Sequence, residues 1–192
     1  MGKVSEAIQK LKIAMDEEGV NPREILPLDL FEFSTSLLPF VNVDLIIQNS
    51  KGQILLSWRD DSHYGTGWQI PGGIIRMMES IDDRIQKTAI REIGCKVEYD
   101  KEPIAVHENI ITEYRKGLQN QLERAHNIAL LFSCRVPDEY VIDNGNKTEH
   151  DEGFLRWFDK FPANFLECHK PLMNDCRFQK WVADRRKDKN EF

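Results

Sequence analysis

The chain has 192 residues, 41% of them hydrophobic and 30% charged, the ordinary make-up of a globular protein with one full core. Its 26 Lys and Arg against 32 Asp and Glu leave a net charge of −6, which excludes a general affinity for nucleic acid or an anionic membrane, so any phosphate binding must be local. No apolar run approaches the roughly 20 residues of a membrane span. Cys95, Cys134, Cys168 and Cys176 never fall into C-x-x-C spacing, so free thiols in a reducing cytoplasm are expected rather than a zinc knuckle.

Val4, Ile8, Leu11 and Met15 recur at helical spacing, which predicts an amphipathic helix over 3–18 that stops near Gly19. Packing on the core is its expected use, with dimerisation or capping of a substrate as the functional alternative. The segment lacks the apolar block of a signal peptide, and Glu6 stands where a myristoylation pattern needs Ser or Thr. "NPREILPLDLFEFSTSLLP", with prolines at 22, 27 and 39, reads as a linker. "FVNVDLIIQ" (40–48) and "QILLSWR" (53–59) flank the turn "NSKG" as a hairpin. A glycine-rich stretch (64–73), a helix from about Ser80 to Ile93, and strands over 103–114, 126–136 and 154–158 follow. A last helix accepts Pro171 in its first turn and runs through Phe178, Trp181 and Val182. Strands around one central helix indicate a mixed α/β sandwich rather than a βαβ repeat.

The stretch "GGIIRMMESIDDRIQKTAIREIG" (72–94) carries the chemistry. Gly72 and Gly73 after Pro71 favour a sharp bend and close approach of a ligand to the backbone. Ser80 stands three residues before Asp83, a capping-box spacing, so the helix starts there. Ile81, Ile85, Ala89 and Ile93 form its expected core stripe, while Thr88, Arg91 and Glu92 share another face with a single carboxylate. Glu79, just ahead, offers a second carboxylate or a hydrogen bond to a neighbour.

This segment resembles a Nudix box, in which a Gly and a Glu with five residues between them precede Arg-Glu and Glu-Glu pairs and a closing Gly. Gly73, Glu79, Ala89, Glu92, Gly94 and Cys95 fit the frame; Lys87 replaces the Arg, and Thr88 and Arg91 replace two glutamates. The resemblance implies a Nudix-type α/β/α sandwich with a mixed sheet, over 39–186, with an extra N-terminal helix and linker (1–38) and a frayed tail (187–192). The same two losses mark the GDP-mannose mannosyl hydrolases, a branch this chain is similar to from about 39 to 158. That likeness implies a Mg²⁺-dependent hydrolase, with Mn²⁺ as a substitute, that cuts the glycosyl C–O bond of a nucleoside diphosphate sugar. It also implies a homodimer, in the cytoplasm expected from the free thiols.

Carried over by position, the Gly72 carbonyl, Glu92 and Glu149 would hold the metal and His150 would be the base. His150 belongs to the acidic loop "EHDE", where functional side chains are common; taken alone the run reads as a solvated loop. Arg59 would contact the diphosphate and Lys87 would assist the leaving group, without the bidentate fork of Arg. A further leaving-group arginine falls on Ile74, and Arg76 is the nearby candidate to compensate. Asp44 matches an aspartate of the branch and would either contact substrate or hydrogen-bond a neighbouring loop, and Trp58 completes the expected substrate contacts. His63 and Tyr64 are within reach of substrate, Trp68 reads as a core anchor, His107 as a packed residue, and His126 as core or pocket wall. Two alternatives stay open: a conventional Nudix pyrophosphatase cutting P–O–P in a nucleotide sugar or ADP-ribose, and an inactive nucleotide-binding module.

Overall fold

β1 (Phe40–Gln48) is buried without a break from Asn42 to Gln48, as expected of a strand covered on both faces. The computed structural model describes residues 2–61, 64–110 and 123–188, and builds one mixed sheet of eight strands around β1. Its neighbours are β2 (Ile54–Asp61), antiparallel through the predicted hairpin, and β7 (His126–Arg135), parallel over nine residue pairs from Phe40↔Asn127 to Gln48↔Arg135. β3 (Gly65–Gln69) and β8 (Leu155–Phe158) pair with β2, and β4 (Gly72–Ile74) pairs with β1. β5 (Glu98–Tyr99) and β6 (Ala105–Ile110) pair with β7.

The period of two along β1 divides the core into two layers. Val43, Leu45 and Ile47 face α3 (Ile81–Ile93) and pack with Ile85, Ala89 and Ile93. Ile46 faces the other way, into a layer with Trp58, Trp68, Leu131, Phe165, Leu172 and Phe178, covered by a 3₁₀ helix (Glu167–Asn174) and α4 (Cys176–Asp188). The expected α/β/α sandwich with a mixed sheet is therefore present, as is the extra N-terminal helix, α1 (Lys3–Glu17).

Several local expectations change. α1 buries none of its residues, and Val4 is 74% exposed, so its apolar stripe does not pack on the core. The stretch read as a linker holds a ten-residue helix, α2 (Leu28–Leu37), that begins right after Pro27 and ends before Pro39. The last helix is broken in two, with Pro171 inside the 3₁₀ segment. Ile81 is exposed, because residues four apart drift about 40° around a helix at every step and the first member of the stripe has rotated away from the core. His63 and residues 111–114 of the expected strand lie outside the described residues.

α3 starts and stops as its sequence dictates. The Ser80 hydroxyl accepts the Asp83 N–H at 3.0 Å, and Gly94 ends the helix at φ +77°, a left-handed position that favours glycine. Gly73 seats β4 against the same helix: a Cβ there would collide with the Thr88 hydroxyl and come within 3.2 Å of Arg84 Cδ. Gly73→Ala is expected to lower stability by about 1–3 kcal/mol, the usual cost of overpacking, read as a shift of the urea midpoint.

Candidate active site

One pocket of about 400 Å³ opens between the polar end of β1 and the N-terminal segment, within the usual range for small-molecule sites. The alternation that sends Val43 and Leu45 to the α3 side sends Asn42 and Asp44 to this one. Asn42 donates to Asp44 Oδ1 at 2.5 Å and accepts from Asn127 Nδ2 at 2.8 Å, so β7 holds the pair in place. Gly72 leaves room for Asp44: a Cβ at that position would lie 2.5 Å from Asp44 Oδ1.

Asp44 is deeply buried, and desolvation pushes its carboxyl up to about 7, against the opposing hydrogen bond from Asn42. Its Oδ2 lies 3.9 Å from Nδ1 of His169, in the 3₁₀ helix. Burial, then repulsion from His107 and Arg59, pulls His169 down to about 4. At neutral pH the imidazole is uncharged, so this contact is not an ion pair. His107, in β6, reaches the same pocket instead of being packed away, and burial lowers it too.

Arg59, Arg76, Arg91 and Arg124 all line the pocket. Arg59 donates to Gln69 Oε1 at 3.1 Å and lies over the Tyr64 ring, 5.2 Å from its centroid. Arg76 is depressed from its ordinary value by burial, then by Arg84 and Arg91 nearby. Four guanidiniums around one buried carboxyl make a local positive field in a chain of net charge −6. The lining also has apolar members, Ile25, Leu26 and Leu28 of the N-terminal segment together with Phe31 and Phe40, whose rings meet edge to face at 6.3 Å. Arg124 covers Phe31, 5.0 Å from the ring centroid.

Of the sequence-derived site residues, Asp44, Arg59, Gly72 and Arg76 come together here; Trp58, Lys87, Glu92, Glu149 and His150 do not line this pocket. His150 stands on Trp58, ring centroids 4.6 Å apart, in a loop fastened to β2 by Gly153 N–H to Trp58 O at 2.8 Å and Asp60 N–H to Glu152 at 2.6 Å. Glu149 binds Arg156 at 2.6 Å and Lys87 binds Glu79 at 3.0 Å. His126 pairs with Glu108 at 3.2 Å, and Trp68 is buried against Trp58, Phe154 and Phe158. Sequence reasoning missed Asn42, Asn127, Arg124 and His169. Asn42 had a signal, since it shares the strand face of Asp44 two residues on; His169 sits in no periodic pattern.

The expected metal ligands do not fit a resident ion as they stand. Arg91 donates to the Gly72 carbonyl at 2.8 Å and, through Nε, to Glu92 Oε1 at 2.9 Å, so a guanidinium fills the interval between two of the three. The third, Glu149, is paired with Arg156. Among the described residues no three His, Cys, Asp or Glu side chains converge on a metal position.

Comparison with known proteins supplies the family. A NUDIX domain profile matches residues 38–171. The low-salt glycan biosynthesis protein Agl8 of Haloferax volcanii is 25% identical over 118 residues, 62% of this chain and 72% of that one. The MutT NUDIX hydrolase of Burkholderia pseudomallei superposes with a TM-score of 0.52 at 18% identity, covering 72% of this chain and 98% of that one. The MutT protein of Methanosarcina mazei Go1 gives 0.50 at 17%, covering 77% and 96%. At such identities the two structures speak for the fold, and the profile, which spans well over half of the sequence, speaks for descent: the chain belongs to the Nudix hydrolase family.

Proposed function

We propose that the protein hydrolyses a nucleoside diphosphate sugar of the GDP-mannose type, cutting the glycosyl C–O bond to release free sugar and the nucleoside diphosphate. The observation that carries this reading is the pocket that combines four arginines with aromatic and apolar side chains. The arginines match a diphosphate, and the slot around Phe31 and Phe40 matches a base. Likeness to a protein named for glycan biosynthesis supports a sugar on the substrate. The box itself argues against activating water at phosphorus, because Thr88 is fully buried and Arg91 carries the wrong charge for that task.

In the step proposed, the water oxygen forms a bond to the anomeric carbon as the bond from that carbon to the diphosphate oxygen breaks. The electron pair leaves with the diphosphate, and Arg59, Arg76 and Arg91 face the charge that develops there. The resemblance assigns the proton of water to His150; this ring stands on Trp58 outside the lining of this pocket, so the base assignment rests on the resemblance alone. A homodimer belongs to the same reading, and the exposed stripe of α1 gives it an available surface.

His150→Gln tests the base. Loss of general-base catalysis is expected to lower kcat by about 10²–10⁴-fold with KM little changed, in Mg²⁺-containing buffer, as hydrolases of this family generally use divalent metals. Turnover within a factor of a few of the unaltered protein removes His150 from the mechanism.

A further inference from the structure

Arg91 occupies a frame position where a glutamate would face a metal, and its contacts join the two expected metal ligands on either side of it. Nη2 reaches the Gly72 carbonyl at 2.8 Å and Glu92 Oε1 at 2.7 Å, and Nε donates to the same carboxylate oxygen at 2.9 Å. Glu92 is 18% exposed and Arg91 48%, so the carboxylate is mostly covered while the guanidinium still reaches the pocket. A guanidinium has five N–H donors in a plane, and these contacts use those of Nε and Nη2. Nη1 has no hydrogen bond among the described residues and is left for a ligand.

We propose that Arg91 is a built-in cation that takes the place of the divalent ion between Gly72 and Glu92 and binds the substrate diphosphate directly. The inference rests on the diphosphate part of the function proposed above, not on which bond is cut. Exchanging a carboxylate for a guanidinium reverses the charge at this position: the ligand that would attract an ion is gone, and a fixed positive group stands where the ion would be. Glu92 holds the guanidinium in place, and the Gly72 carbonyl fixes its plane, so the cation is oriented before substrate arrives. Arg76 and Arg59, on the same pocket, extend the anion site.

Two binding measurements on the full chain test this without turnover. Manganese titration followed by electron paramagnetic resonance should find no Mn²⁺ held by the unaltered protein at sub-millimolar concentration. Arg91→Glu should gain such a site, and an unfolded variant would not produce that gain. Calorimetry with inorganic pyrophosphate in EDTA should show binding that Arg91→Ala weakens about 10- to 100-fold and Arg91→Lys weakens less, as expected for lost charge-assisted hydrogen bonds. Tight Mn²⁺ binding by the unaltered protein overturns the proposal, as does pyrophosphate binding that vanishes in EDTA or ignores Arg91→Ala. Metal-free pyrophosphate binding through Arg91, with no nucleotide sugar hydrolysed, would keep this inference and sink the function. Sugar release that depends on Mn²⁺ held by the unaltered protein would do the reverse.

Discussion

Replacing Glu79 by alanine is expected to lower the stability of the fold by about 3–5 kcal/mol, the loss typical of a buried ion pair deprived of one partner. Glu79 has a side chain only 5% exposed, and it is the hub of the loop between β4 and α3. It accepts from Arg84 Nη2 at 2.6 Å and Nε at 2.7 Å, from Lys87 at 3.0 Å and from the Arg76 N–H at 3.0 Å. Burial alone would raise its carboxyl, but the bonds from Arg76, Lys87 and Arg84 outweigh burial and hold it below the ordinary range. Arg84 is itself 8% exposed, so Glu79→Ala leaves a guanidinium buried without its counter-charge. In a chain of this size the melting temperature should fall by roughly 6–20 °C, seen in calorimetry or circular dichroism. Lys87 is 63% exposed, and Lys87→Ala should shift it by about a degree or two. A Glu79→Ala loss as small as the Lys87→Ala loss would mean that Arg84 finds water, and the hub is not structural.

Asp44→Asn should stabilise the protein, increasingly as pH rises. The folded carboxyl titrates at about 7 against an ordinary 3.8, so between these values the unfolded chain is ionised while the folded one still holds its proton. The unfolded state then binds fewer protons, and stability of the unaltered protein falls as pH increases through that window. About three pH units at 1.36 kcal/mol each give an upper bound on the order of 4 kcal/mol, reached above pH 7 and absent below pH 4. Asparagine keeps an acceptor for Asn42 and carries no charge. Urea unfolding of both proteins from pH 4 to 8 should therefore show curves that converge in acid and separate near neutrality. Parallel curves would show that the buried carboxyl is not the source of the slope. Because Asp44 lines the pocket, a gain in stability accompanied by a loss of activity is the expected pairing.

The elements that could be read in the sequence are those with strong local signals. β1 is found over the same nine residues, because its apolar run is bounded by Pro39 and a polar turn. α3 is found because Ser80 and Gly94 mark its ends. α2 was hidden by its prolines: Pro27 is a start position and Pro39 a stop, which together mimic a linker. β3 and β4 have glycines where a strand pattern has side chains, and exist through pairing with β2 and β1, which no local window contains. The site divides likewise. Asp44, Arg59, Gly72 and Arg76 belong to or flank a recognisable frame. Arg124, Asn127 and His169 reach the pocket only through tertiary packing, and the contact of Arg91 with Gly72 spans 19 residues of sequence.

The central claim, which bond is cut, is tested by incubating the protein with GDP-mannose and other nucleotide sugars in ¹⁸O-water containing Mg²⁺, then locating the label by mass spectrometry. Attack at the anomeric carbon puts ¹⁸O in the released sugar and none in the nucleoside diphosphate. Label in a phosphate product would contradict it in favour of P–O–P cleavage, and nucleotide binding with no product from any nucleotide sugar would contradict it in favour of a binding module.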